Sequence, residues 1–582
     1  MGDDSRLGPE ERRRALRRMA DEQFDVAIVG GGVTGCGAAL DAATRGLSVA
    51  LLEKRDLAAG TSSRSSKLIH GGLRYLEQLQ FGLVREALRE QTLLATRLCP
   101  HLVRPVPFLF PLRRPAIDRA WIGAGVLLYD WLAHPRALPR HRHLSRRRCL
   151  ELFPSLRREG LAGGIQYWDA QVDDARHTLA LARSAALHGA ALATSLRAVG
   201  FLVREGRVQG VRARCLETGA ELEVRARQVI NATGVWTERV RDLAGGGGLR
   251  VRASKGIHLL VPRERIRSET GLIARTATSV LFVIPWKETW ILGTTDTDWS
   301  LDLDHPAASR RDIEYLLGAV NAVLAEPLTR ADVLGVYAGL RPLLYGESDA
   351  TSELSREHAV ATADSGLISV AGGKYTTYRV MARDAVDLAA TRLPGAVPPS
   401  CTDRIPLLGA DGHAGWCQRA DALAREADLP RWRIDGLLGR YGSRIGELLA
   451  LARERPELAL PLEGAPGYLR VEAFYAAANE GALHLDDVLT RRTRISVETR
   501  DRGVRAAGPV CELMAAVLGW DAATRAREIA HYEARVAAER DSQEQPDDRT
   551  ADAARLGAPD VRTAGERAPA PAAPEKQRSS GA

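Results

Sequence analysis

The sequence predicts a chain of α/β and α+β type: a Rossmann-like dinucleotide-binding domain, a second domain built on an antiparallel sheet, and a C-terminal all-α domain. Three observations predict it. Strand, glycine turn, helix and second strand follow one another over residues 24–53. Several short β-prone runs crowd residues 250–345. Residues 401–535 carry predominantly helical spacing.

Phe24-Asp25-Val26-Ala27-Ile28-Val29 reads as a buried strand and leads into Gly30-Gly31-Gly32-Val33-Thr34-Gly35. Thr34 to Arg45 has helical spacing, Leu47 to Leu52 is a second apolar run, and Glu53 closes it. Glycines at 30, 32 and 35 permit a tight turn, approach of backbone to a pyrophosphate, and packing of helix on strand. The helix start supplies N–H groups and the positive end of its dipole. Glu53 stands 23 residues after Gly30, where a carboxylate accepts from ribose hydroxyls and disfavours a 2′-phosphate. A lone GxGxxG is a weak signal; the flanking strand, helix and acid make this one a dinucleotide site. It is the one such motif in a strand–helix setting, so a separate nicotinamide site has no support.

Along the chain, residues 1–22 are a charged leader, read as a frayed helix. Residues 23–400 hold the dinucleotide-binding part, discontinuous in sequence, and the second domain, about 101–160 and 250–345. Leu161 to Ala193 gives a strand and a helix. Val199 to Val211 and Arg214 to Val224 read as hairpin strands with turns at Glu205-Gly206 and Thr218-Gly219. Gln228 to Gly234 is a buried strand ending in Ala-Thr-Gly. Gly256 to Val261, Ser279 to Pro285 and Thr289 to Gly293 are antiparallel strands. Leu367 to Val370 returns to the first sheet, followed by a helix over Thr376 to Ala390. Residues 401–535 form the helical domain, and 536–582, poor in large apolar side chains, a disordered tail.

A 582-residue chain holds more than one domain. No run reaches the ~18 apolar residues of a membrane span; the longest, Trp121 to Ala133, is interrupted by Asp130. The first twenty residues lack the apolar core of a secretory signal. Seven scattered cysteines without a CxxC pair argue for a reducing compartment and against structural zinc; no metal is expected. Net charge is +8, and only six of the 81 basic residues are Lys. Lys67, Lys255 and Lys374 all fall in the motifs below, which hints at a demand for a compact ammonium. Arg136 to Arg148 contains six Arg and two His and reads either as a patch for anionic lipid heads or as a solvated loop. The basic balance could serve nucleic acid, but Arg is interspersed with 73 acidic residues and lacks interleaved aromatics, so no nucleic-acid face is expected.

The stretch Ser62-Ser63-Arg64-Ser65-Ser66-Lys67-Leu68-Ile69-His70-Gly71-Gly72-Leu73-Arg74-Tyr75 resembles the FAD-dependent (aerobic, respiratory) glycerol-3-phosphate dehydrogenases of the D-amino-acid-oxidase-like superfamily. Supporting motifs are Val172-Asp173-Asp174-Ala175-Arg176, Asn231-Ala232-Thr233-Gly234, Lys255-Gly256-Ile257-His258, Gly293-Thr294-Thr295-Asp296, Gly339-Leu340-Arg341-Pro342-Leu343 and Gly372-Gly373-Lys374-Tyr375-Thr376-Thr377-Tyr378-Arg379. The resemblance covers about residues 24 to 530. It implies a Rossmann-like FAD-binding domain with an antiparallel-sheet substrate domain, and oxidation of sn-glycerol 3-phosphate to dihydroxyacetone phosphate. It also implies hydride transfer to flavin N5 and electrons passed to a membrane quinone. The protein would then be cytoplasmic and peripheral on the inner face of the plasma membrane, and a homodimer is compatible with the resemblance.

The resemblance also assigns residues. Cofactor contacts are expected at Gly30, Gly32, Gly35, Glu53, Thr61, Ser62, Ser66, Lys67, His70, Gly71, Gly234, Gly372 and Gly373. Substrate contacts are expected at Arg74, Tyr75, His258, Arg341, Arg356, Lys374 and Thr377, with His258, Arg341 and Lys374 catalytic. Phosphate dianions are well held by Arg forks, and Arg341 is the strongest candidate because an apolar turn surrounds it. Arg356 is the weakest, with Glu357 beside it as a simple partner. His258 suits proton removal from a secondary alcohol; His70 suits the cofactor side. Gly372-Gly373-Lys374 places helix-start N–H groups and a cation at the flavin pyrimidine. Asp296 and Asp298 read as turn-forming. Rival readings are an oxidase using oxygen, an oxidase of another 2-hydroxy or amino acid, a flavoprotein acting on nucleic acid, and a protein that mainly docks partners through its C-terminal helices.

Overall fold

The computed structural model describes residues 5–563 apart from 73, 78, 115–116, 134–137, 276–279 and 346–356. Gln23–Val29 lies inside an eight-stranded sheet, parallel to Val49–Leu52 on one side and to Glu221–Asn231 on the other. Such a strand is buried on both faces and reads as a continuous apolar run. Val26 and Ile28 pack on the helices Val33–Thr44, Asp174–Leu187 and Tyr378–Ala390. Phe24, Ala27 and Val29 face the other way. Ile368–Gly372 extends the sheet parallel to Glu221–Asn231, and Ala191–Ala193 closes the far edge. The hairpin Leu196–Arg204 and Arg207–Cys215 turns at Glu205-Gly206 as expected and pairs onto Glu221–Asn231.

The second sheet has ten strands and mixes both expected segments, 101–160 and 250–345, with Gly163–Val172, which lies outside them. Val103–Leu112 pairs antiparallel with Gly163–Val172 along its whole length. Val251–Pro262 lies between Gly335–Leu344 and Thr289–Gly293, so His258 and Arg341 rise from adjacent strands. One pairing, Gly271-Leu272 with Phe108-Leu109, is parallel, so the sheet is not purely antiparallel.

Three boundaries differ from expectation. The leader is not frayed: Pro9–Asp21 docks Ala15 and Met19 against the outer face of the first sheet. The helical domain carries a small two-stranded sheet, Pro461–Leu462 with Ala465–Leu469. The tail is not disordered from 536. Ala522–Glu544 runs through that point, Asp548–Arg555 forms a further helix, and the chain is described to residue 563. This segment buries arginine instead of apolar bulk: Arg562 pairs with Asp487, both fully enclosed. Low apolar content was therefore the wrong criterion for disorder here. The residues from 564 onward lie outside the described residues.

Buried ion pairs join the helical domain to the first sheet. Arg176 grips Glu480 with two bonds of 2.7 and 2.8 Å, and Arg494 spans Asp173 and Asp174. Val172 to Arg176 thus acts as scaffold.

Candidate active site

A cleft of about 690 Å³ runs between the two sheets, within the range of a cofactor site. At one end it is lined by Glu53, Leu196 and Ala198; past Gly30, Gly32 and Ser62 it reaches His258, Arg341, Tyr75 and Gly372 to Lys374. The glycine turn fits a dinucleotide. At Gly30 (φ +114°) a Cβ would sit 2.7 Å from the Ala232 carbonyl, and at Gly35 it would overlap the Gly30 carbonyl. Gly35 is therefore a packing residue, not a cleft residue. Ser62 accepts from the Val33 N–H at 2.9 Å, fixing the helix start. Glu53 accepts from Gly31 N–H at 2.7 Å and Arg55 N–H at 2.8 Å, which pins its carboxylate at the cleft end. Thr61 lines the wall and donates to the Leu340 carbonyl. Gly234 (φ +59°), Gly372 (φ +79°) and Gly373 (φ +72°) also line it.

At the other end, His258 is 2 % exposed. Its Nε2 lies 2.8 Å from Ser66 Oγ, and its ring stacks on Tyr337 at 4.8 Å and 14°. Burial above all, and then the Arg341 and Lys67 charges, hold the imidazole well below its ordinary pKa. His258 is thus neutral near pH 7, with Nε2 on Ser66 and Nδ1 enclosed without a hydrogen-bond partner. Gly293 stands opposite it in register, and a Cβ there would overlap the ring.

Arg341 is held by four acceptors: Thr294 Oγ1 (3.1 Å), the Thr295 carbonyl (3.0 Å), Asp296 Oδ1 (3.2 Å) and Ser254 Oγ (3.4 Å). Asp296, read from sequence as turn-forming, is the counter-charge that aims this guanidinium. Asp298 pairs with Arg252 instead. Lys374 lies over the Tyr75 ring, 3.6 Å from its centroid. His70 lines the cleft, and burial together with the Lys374 charge pulls its pKa down to about 4.

Several expected contacts fall elsewhere. Lys67 takes a left-handed backbone (φ +58°) that turns its ammonium away from the cleft and onto Asp174 at 2.7 Å; it braces the loop. Lys255 is likewise a buried strut, paired with Asp312 and Asp548. Thr377 donates to the Lys374 carbonyl and does not line the cleft. Its neighbour Thr376, which sequence reasoning missed, bonds both the N–H and the carbonyl of His70 at 3.1 Å. Gly71 is buried behind the wall, its N–H donating to Tyr129 Oη at 2.8 Å; that hydroxyl donates to Asp169 at 2.6 Å. Burial raises the Asp169 carboxyl to about 7. Arg74 sits in the short helix Arg74–Glu77, with its side chain outside the described residues, as is Arg356 altogether. Leu196 and Ala198 come from the hairpin and carry no motif that sequence could flag.

A glycine-turn sheet whose cleft ends on a second sheet bearing a neutral histidine and a braced arginine defines an FAD-dependent oxidoreductase. The family model described as FAD dependent oxidoreductase matches residues 25–379, and that of the C-terminal domain of alpha-glycerophosphate oxidase matches residues 400–525. The chain is 57% identical over 557 residues to glycerol-3-phosphate dehydrogenase 2 of Mycobacterium tuberculosis, covering 96% of this chain and 95% of that one. It is 36% identical over 532 residues to the mitochondrial glycerol-3-phosphate dehydrogenase of Mus musculus, covering 87% and 72%. The glycerol-3-phosphate dehydrogenase of Bacillus halodurans, solved with FAD, superposes with a TM-score of 0.76 at 28% identity over 91% of this chain and 98% of that one. The chain belongs to the FAD-dependent glycerol-3-phosphate dehydrogenase family.

Proposed function

We propose that the protein oxidises sn-glycerol 3-phosphate to dihydroxyacetone phosphate and delivers the electrons to a membrane quinone at the inner face of the plasma membrane. The observation that carries the reaction is the pairing, on adjacent strands, of neutral His258 with Arg341 braced by Asp296. Bound FAD supplies a hydride acceptor at N5 that can release electrons singly. His258 takes the C2 hydroxyl proton as the C2–H bond breaks. Ser66, hydrogen-bonded to it, orients the ring. Arg341 and Lys374 gather the phosphate dianion, and a two-pronged guanidinium suits it better than a carboxylate needs.

The membrane part rests on the helix Ile117–Leu132. Ile117, Trp121, Leu127 and Trp131 are 64, 67, 61 and 74 % exposed and fall within a stripe ~120° wide on one side of it. Gly123, Val126 and Tyr129 face inward. Exposed Arg146, Arg147 and Arg148 follow in sequence. An apolar stripe beside basic residues suits the interface of an anionic bilayer. No described helix is long and apolar enough to cross one.

Anaerobic titration of the flavin-loaded protein with sn-glycerol 3-phosphate tests the chemistry: the visible flavin band bleaches. A band that persists removes the substrate. Re-oxidation by a short-chain quinone, faster than by oxygen, supports the acceptor; the reverse order replaces it with oxygen.

A further inference from the structure

One buried acid has no part in the chemistry above. Asp169, on the strand Gly163–Val172, meets one side chain from each of the helices Phe81–Leu93 and Ile117–Leu132. Its Oδ1 accepts from Gln91 Nε2 at 3.1 Å and from Tyr129 Oη at 2.6 Å. Both donors are themselves buried, and among the described residues no cation pairs with the acid. Tyr167 stands edge-on to the Tyr129 ring, and Leu76, Val84 and Leu88 pack around it. A carboxyl group in such surroundings is costly, and two neutral donors offset only part of that cost. Apolar groups of the same shape in place of acid and donors would serve stability as well.

What the two donors hold besides the acid is a piece of the cleft wall. Gln91 Nε2 also donates to the Ile69 carbonyl at 2.6 Å, and Tyr129 Oη accepts from the Gly71 N–H at 2.8 Å. Between them stands His70, which lines the cleft and whose own N–H and carbonyl both bond Thr376 Oγ1 at 3.1 Å. The two peptide planes that flank His70 are thereby bonded at all four of their polar groups. They have no slack: a Cβ at Gly71 would lie 2.7 Å from Leu88 Cγ and 2.9 Å from the Tyr129 ring. Asp169 Oδ1 is the atom that the Gln91 and Tyr129 anchors share.

We propose that Asp169 is a positioning residue for the cofactor: through Gln91 and Tyr129 it sets the two peptide planes that hold His70 at the flavin cleft. It lines no part of the cleft itself. A binding wall keeps its geometry when the side chains behind it are locked by further hydrogen bonds. An oxygen that accepts two such bonds fixes both donors together. Without it, Gln91 and Tyr129 are left as buried donors and turn to other partners, and the peptides they hold turn with them. The inference rests on the FAD site alone and not on which alcohol is oxidised.

Ultrafiltration of the flavin-loaded, full-length protein over a dilution series gives the FAD dissociation constant, and the visible spectrum reports the surroundings of the ring. Asp169→Leu should raise that constant ~10-fold or more and displace the visible band, as expected when buried donors lose their acceptor. Asp169→Asn, which keeps an acceptor oxygen, should stay within ~3-fold of the parent. Tyr129→Phe should weaken FAD too, and it reads the link should the Leu variant not fold. Combined with Asp169→Leu, it should raise the constant by less than the product of the two single effects, because both act on one anchor. Three results would each overturn the proposal: a Leu variant that melts early yet keeps the parent's FAD constant and spectrum, an Asn variant as weak as the Leu variant, or a double variant whose effects simply multiply.

Discussion

Single side chains divide the labour at the cleft end. His258→Gln removes the proton acceptor proposed above while keeping a polar side chain, and general bases contribute ~10²–10⁴-fold. We expect the single-turnover rate of flavin bleaching to fall by about that factor. A loss under ~3-fold would assign the proton to another group. Arg341→Gln removes charge-assisted bonds worth ~1.5–3 kcal/mol, so kcat/KM for glycerol 3-phosphate should fall ~10–150-fold. For glycerol, which lacks the phosphate, it should hardly change. Asp296→Asn should move KM more than kcat, because it aims Arg341 and touches no reacting atom. That His258 and Arg341 would line the cleft was legible in the sequence because each sits among apolar residues where a polar side chain needs a purpose. Asp296 was not, since an acid in Thr-Thr-Asp reads equally well as a turn former until its partner across the sheet is known.

Among the elements, the Ile117–Leu132 helix makes the clearest claim. Burying two exposed tryptophans in a lipid interface is worth ~1.5–3 kcal/mol each. Trp121→Ser with Trp131→Ser should therefore cut co-sedimentation with anionic vesicles by a factor of 100 or more by that reckoning. Turnover with a water-soluble acceptor should stay intact. Equal sedimentation of parent and variant would move the contact elsewhere. Sequence inspection found this apolar run and the basic stretch after it, but not that the stripe faces out; only the neighbours of Gly123 and Val126 settle that. Struts behind the sheet are testable too. Asp312→Ala leaves the buried Lys255 with one exposed-side partner, Asp548. Breaking a buried pair costs ~3–5 kcal/mol, visible as an earlier urea midpoint.

On the scale of the whole molecule, pH sets the margin of stability. His101, His177 and His258 are 2, 0 and 2 % exposed. Burial chiefly holds the first two down at about 3, and the third well below the ordinary value. The folded chain refuses protons that unfolded imidazoles take up at ~6.5. Their contribution is complete above that pH and shrinks as pH falls, by up to ~1.4 kcal/mol per unit for each. His484 runs the other way: against its burial and the Arg562 charge, Glu217 and Glu528 raise it to about 9. Its contribution is full below ~6.5 and is lost as pH rises from there through about 9. Three depressed imidazoles outweigh one raised one, so the thermal midpoint should drop between pH 7 and 5; a flat profile would mean these rings are solvated. The glycine-led sheet was readable because its constraints are local. The terminal segment was not, because Arg562 with Asp487 and Arg555 with His305 close only after domains distant in sequence have met.

The hydrogen bond from Gly71 to Tyr129 joins the flavin-side loop to the inner side of the same helix whose outer side is bare. On a bilayer, the lipid would hold one side of a lever whose other side is the cleft wall. Lipid composition would then act as a tuning parameter of turnover: kcat measured in detergent and in vesicles should differ while KM does not, and Tyr129→Phe should erase the difference.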